Sequence, residues 1–98
     1  MPTKLAAVAA AEILPRNSLR KSIGFQNEDS TDSIFVKRER SENTTVSATD
    51  HDWKLGPGGI LTLNSQTDGE SAIRGRWTFI ASANTPRLAY FETKDLED

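Results

Sequence analysis

The chain has 98 residues, of which 36% are hydrophobic and 27% are charged, so it can form one small domain with a thin core. It contains no cysteine and one histidine, which excludes disulfides and thiolate zinc sites and argues against a closed histidine metal site. The net charge of −2, from 12 basic and 14 acidic residues, argues against a general nucleic-acid-binding domain.

A domain of this size buries roughly 60–65% of the surface of its unfolded chain, which leaves its stability marginal. Small domains gain stability from disulfides, metals or partner subunits. Because the composition argues against disulfides and metal sites, we expect the chain to oligomerise or to dock onto a larger surface.

The N-terminal segment, residues 1–11, is rich in alanine and weakly hydrophobic. Residues 6–14 have the propensity for a helix, but Val8 and Leu14 also suit an opening strand that ends at Pro15, and we favour a strand or an extended arm. Lys4 is the only early positive charge, and no stretch approaches the ~20 apolar residues of a membrane span, so we expect an intracellular product without an export signal.

The first strand predicted within the core covers residues 19–26. Alternation places Leu19, Ile23 and Phe25 on one face. The other face carries Arg20, Ser22, Gly24 and Gln26.

A polar stretch, residues 27–32, has strong turn character and separates that strand from a β-branched and aromatic run at residues 33–37. The short connection predicts that the two strands form a hairpin. Residues 43–48 are polar and predict either a short edge strand or an irregular crossing.

The strongest break in the chain follows Trp53, Lys54 and Leu55. Glycine permits positive φ and proline restricts φ to about −65°, so the tetrapeptide after Leu55 predicts a turn. Its residues are Gly56, Pro57, Gly58 and Gly59.

Three further strands are predicted, at residues 60–63, 75–82 and 87–93. In the second of them Trp77 and Phe79 share one face with Ala81. A turn at residues 84–86 predicts a hairpin between the last two strands. The fold prediction is an all-β, antiparallel sandwich or barrel of six to eight short strands, with an arm at 1–11, the domain at 12–93 and a flexible tail at 94–98.

Catalytic motifs are not recognisable, and we expect no enzymatic activity and no cofactor. The chain lacks the Gly-x-Ser-x-Gly nucleophile elbow, and the glycine-rich turn lacks the lysine that a P-loop requires. His51, between Asp50 and Asp52, is interpreted as a residue of a solvated loop rather than a metal ligand.

Two basic clusters allow other interpretations. The first, Lys37, Arg38 and Arg40, suits contact with phosphate or with an acidic protein face. Arg74 and Arg76 beside Trp77 are compatible with an OB-like module that binds single-stranded nucleic acid, although the acidic balance favours ordinary outer-face arginines. A carbohydrate-binding sandwich is a third possibility, in which an exposed Trp53 or Tyr90 would stack on a sugar ring.

The order of the elements resembles the small β-sandwich virion proteins of tailed bacteriophages. The resemblance covers about residues 12–92. The segments that carry it are Ile13 to Asn17, Arg20 to Asn27, Ile34-Phe35-Val36, the Leu55-Gly56-Pro57-Gly58-Gly59 turn with Ile60 to Leu63, Gly75 to Ala83 and Arg87 to Glu92. The chain departs from the pattern in its longer, more charged segment 37–52.

The resemblance implies a non-enzymatic virion protein that decorates or cements the head, or a head-fibre base, neck or tail component of the same fold. It also implies a homo-oligomer, with a trimer expected, bound to the major capsid protein or a neighbouring virion protein. Nucleic acid and membrane are not expected partners. The candidate interface residues are Leu5, Val8, Lys37, Arg38, Arg40 and Trp53.

Overall fold

The structure of the chain is a computed structural model that describes residues 3–17, 20–39, 43–64 and 73–94. Two antiparallel four-stranded sheets form a sandwich. The strands are β1 (Thr3–Leu5), β2 (Ala11–Leu14), β3 (Arg20–Asn27), β4 (Ile34–Glu39), β5 (Trp53–Leu55), β6 (Ile60–Asn64), β7 (Arg76–Ala81) and β8 (Arg87–Lys94).

Sheet A has the strand order β1-β8-β3-β6 and sheet B the order β2-β7-β4-β5. Most connections therefore cross from one sheet to the other, in the order of a jelly roll. The all-β sandwich prediction is confirmed. Leu19, Arg40 and the residues 65–69 and 95–98 of the predicted loop and tail lie outside the described residues.

Both hairpins predicted from the sequence are wrong. The strands β3 and β4 belong to different sheets, and so do β7 and β8, so the loops at 28–33 and 82–86 are arches. Loops of this length can span the roughly 10 Å between packed sheets, whereas a two-residue turn would keep both strands in one sheet. Among the strands of the described residues, only β4 and β5 are consecutive and pair directly.

The N-terminal segment forms strands, as favoured over a helix. Its β1 pairs with β8 and its β2 pairs with β7 of the same chain. Ala6 between them is fully buried, but Val8 is 65% exposed and buries no patch.

The core lies between the two sheets and is centred on Trp77, which is fully buried on β7. Phe25 of sheet A packs against it with ring centroids 5.4 Å apart. Phe79 and Ala81 are buried on the same face of β7, so the predicted face is confirmed. The other large buried apolar side chains are Ile13, Leu14, Ile23, Ile34, Val36, Leu55, Leu63, Ile73 and Leu88.

Arg20 does not lie on the outer face of β3, where strict alternation placed it. The β3–β8 register shifts between Arg20 and Ser22, and this bulge puts Arg20 on the side of Ile23. The guanidinium is fully buried and bonds to the Glu92 carboxylate at 2.6 Å. It also donates to the carbonyls of Pro15, Ile73 and Gly75.

The predicted glycine-rich turn is confirmed in position and connects β5 to β6 across the sandwich. Gly58 has φ 74°, and the Gly59 amide donates to the Gly56 carbonyl at 2.8 Å. Buried Asn27 holds this turn, because its Nδ2 donates to the carbonyls of Leu55 and Gly56. The same Nδ2 donates to the Asp32 carbonyl, so one amide connects the glycine-rich turn to the arch at 28–33.

Candidate interaction surface

The outer face of sheet A, formed by the side chains that point away from the core, is almost free of charge. Cross-strand pairing places its members on four strands. Among these paired positions Arg87 is the only charged residue, in a chain that is 27% charged. The paired positions of this face are Thr3, Leu5, Ser22, Gly24, Gln26, Ile60, Thr62, Asn64, Arg87, Ala89, Phe91 and Thr93.

A shallow apolar groove of about 210 Å³ runs along this face. Phe91 lies across Gly24, its cross-strand partner, and forms one wall. Ile60 is 66% exposed at the edge of the groove, and Leu5 is 59% exposed on β1. The floor is completed by Phe25, Gln26, Thr62 and Ala89. Exposed apolar side chains beside an apolar groove are typical of a protein-binding surface.

The outer face of sheet B is covered by the chain itself. Residues 43–52 fold over it, and the His51 ring packs on Phe35 with centroids 4.6 Å apart. The Lys37 ammonium binds the Asp50 carboxylate and the Thr45 hydroxyl, each at 2.7 Å. The Asp50 contact raises the pKa of Lys37 above its usual value.

Glu39 of β4 binds the segment 43–52 that covers sheet B. Its carboxylate is 3% exposed and accepts hydrogen bonds from the backbone amides of Thr45 and Val46 and from the hydroxyls of Thr45 and Thr78. Burial by itself raises the pKa of this carboxyl, but the hydrogen bonds and the Lys37 charge outweigh burial and leave the pKa below its usual value. The segment at residues 43–48, predicted as a short edge strand or an irregular crossing, is therefore irregular. The buried Glu39 carboxylate binds it to sheet B.

The candidate interface residues do not share one surface. Leu5 lies on the outer face of sheet A and Val8 in the loop after it. Lys37 is held by the cover over sheet B, where the Arg38 amide also donates to the Asp52 carboxylate at 2.9 Å. Trp53 is 37% exposed at the β5 edge.

Trp53 is not an isolated surface ring. Its centroid is 5.6 Å from that of buried Trp77, so it closes one side of the core. Full burial also prevents Trp77 from stacking on a nucleotide base. The neighbouring Arg76 guanidinium contacts the Glu12 carboxylate at 3.4 Å and the Thr44 hydroxyl, as expected of an outer-face arginine.

His51 is half-buried in its loop, and its Nδ1 lies 3.1 Å from the Ser47 carbonyl oxygen. Across the described part of the chain, histidine, aspartate and glutamate form no group of three that could hold a metal ion. Nor does any described helix have the length and apolar character that crossing a membrane requires.

Sequence reasoning missed the outer face of sheet A as a unit. Alternation within β3 and β6 does show an uncharged set on each strand, and the set on β8 has Arg87 as its one charge. What was missing was the pairing of these strands, which brings the three sets together. Comparison of the chain with protein-family models, with curated proteins and with solved structures gave no match.

Proposed function

We propose that this chain is a non-enzymatic structural protein of a tailed-phage virion, which decorates or cements the head by docking on the major capsid protein or a neighbouring virion protein. The observation that carries the proposal is the outer face of sheet A, where Arg87 is the only charged residue among the paired positions, together with its groove. Sheet B has its own cover, so sheet A offers the apolar surface for a partner.

The sequence resemblance supplies the class of partner. The order of strands and turns from residue 12 to residue 92 resembles small virion sandwiches, and jelly rolls are recurrent in viral capsid proteins. The likeness to capsid jelly rolls is an analogy at the level of the fold, since one fold serves many functions.

The mechanism of such a protein is static. Apolar area on the sheet A face leaves water when the chain docks, and each Å² contributes roughly 25 cal/mol. A specific contact needs roughly 800 Å² per partner, so neighbouring loops must join the contact. Charged residues are depleted at the core of such interfaces, as they are on this face.

Co-sedimentation with purified phage head shells tests the proposal. Gln26→Arg places a charge in the middle of the face, and we expect it to reduce binding at least tenfold. Ala48→Arg adds the same charge on an exposed residue of the sheet B cover and should bind like the wild type. Absence of binding by the wild type, or equal loss in both variants, would contradict the proposal.

The location within the virion is a separate question. Quantitative mass spectrometry of separated heads and tails distinguishes a decoration protein, present in many copies on heads, from a head-fibre base, neck or tail component. A glycan array distinguishes both from a carbohydrate-binding sandwich, for which the partly exposed Trp53 ring is the candidate stacking surface.

A further inference from the structure

Four strands lie at the sheet edges, and three of them carry features that discourage pairing with another chain. In β1 the central residue is Lys4, in β5 it is Lys54, and β2 contains Glu12 and a register shift. Charges and bulges are the usual protection of edge strands. The fourth, β6, has neither charge nor proline nor register shift over Ile60–Asn64.

The free edge of β6 can be assigned to particular backbone groups. The Asn27 amide donates to the Gly59 carbonyl at 2.9 Å, one pair beyond the Gln26–Ile60 register. In an antiparallel ladder hydrogen-bonded residues alternate, so Gly59 and Leu61 bond towards β3. The N–H and C=O of Ile60 and Thr62 therefore face away from sheet A, where no described strand pairs with them.

We propose that β6 is a self-association edge, at which two copies of this chain pair antiparallel about a twofold axis through Leu61. Ile60 of each copy then lies opposite Thr62 of the other. Each hydrogen-bonded pair exchanges two N–H···O bonds, so the two pairs supply about four.

The side chains suit this register. Ile60 and Thr62 are both β-branched and exposed, and β-branched residues form favourable cross-strand pairs. Leu61, partly buried against the core, meets its own copy on the inner side. No like charges face each other along the strand, although each copy carries a net charge of −2.

A contact of this kind is isologous, so it closes as a dimer and does not propagate. The two copies of sheet A become one eight-stranded sheet, and their outer faces become continuous. The strand has only five residues, so we expect a weak, concentration-dependent dimer in place of the trimer expected from the sequence. The inference does not depend on the virion function, because it concerns the purified chain alone.

Sedimentation velocity over a wide concentration range tests the inference with matched variants. The double variant Ile60→Lys/Thr62→Lys opposes like charges at both pairs, and we expect at least a tenfold weaker dimer. The control Leu5→Lys adds a lysine at the other edge of the same sheet, on a side chain of similar exposure, and should dimerise like the wild type. Circular dichroism and thermal melting establish that each variant is folded.

A charge-complementation experiment identifies the register. Ile60→Glu/Thr62→Glu should also be monomeric alone, and mixing it with the double lysine variant should restore a heterodimer. Hydrogen exchange of the wild type should show amides of Ile60 and Thr62 gaining protection as concentration rises. A monomeric wild type at millimolar concentration, a dimer that the lysine variants leave intact, or failure of the mixture to associate would each overturn the inference.

Discussion

The Phe91 ring packs against Gly24, its direct cross-strand neighbour, and occupies the space where any other residue at position 24 would carry its Cβ. This contact joins the two longest strands of sheet A and forms one wall of the groove. An aromatic ring over a strand glycine compensates for the missing side chain, because it covers backbone that would otherwise be exposed.

Gly24→Ala should destabilise the fold by about 1–3 kcal/mol, because the new methyl group displaces the Phe91 ring. In a Phe91→Ala background the same substitution should be stabilising by about 0.4–1 kcal/mol, since alanine reduces the entropy of the unfolded chain. Urea denaturation of the four proteins measures this coupling. Equal effects of Gly24→Ala in both backgrounds would refute the contact.

Arg20→Ala should cost about 3–5 kcal/mol of unfolding free energy, because it leaves the Glu92 carboxylate and three backbone carbonyls without their shared donor. Arg87→Ala removes an exposed arginine and is expected to stay within about 0.5 kcal/mol of the wild type. Chemical denaturation compares the two variants. Similar losses in both would indicate that the guanidinium is not a buried connector.

Asn27→Asp should destabilise the chain by about 2–4 kcal/mol, since a carboxylate in place of the amide faces three carbonyl oxygens and has no proton to donate. Gln26→Glu makes the same chemical change one residue earlier, on the outer face, and should be nearly neutral. Thermal melting at pH 7 gives the comparison. A small effect of Asn27→Asp would mean that the arch at 28–33 and the glycine-rich turn are held by other contacts.

Acid should weaken the fold through Glu39. The pKa of its carboxyl is lowered by folding, so its contribution to stability is complete above the usual value of 4.5 and is lost as pH falls through the folded pKa. Glu39→Gln should flatten the pH dependence of the unfolding free energy below pH 4.5, and Glu28→Gln, an exposed control, should not. Hydrogen bonds from the amides of Asp32 and Thr31 also lower the pKa of Asp29. Asp29 therefore keeps its contribution to the pH dependence of the unfolding free energy in both variants.

The sequence alone predicted most strands and their faces. The alternation at Trp77, Phe79 and Ala81 follows from the two-residue period of a strand, and the tetrapeptide Gly56 to Gly59 follows from the torsion preferences of glycine and proline. These are local properties, so they are readable without knowledge of the partner strands.

Only the tertiary structure decided which strands pair, and with that the candidate surface. A five- or six-residue loop can connect two paired strands as a hairpin, or two strands of opposite sheets as an arch. Which of the two forms depends on the arrangement that buries the apolar faces best. The surroundings of Arg20 and Glu39 were equally hidden, because a bulge reverses the face of Arg20 and the irregular segment after β4 folds back over Glu39. Pairing and burial are properties of the whole chain, whereas strand period and turn chemistry belong to a few neighbouring residues.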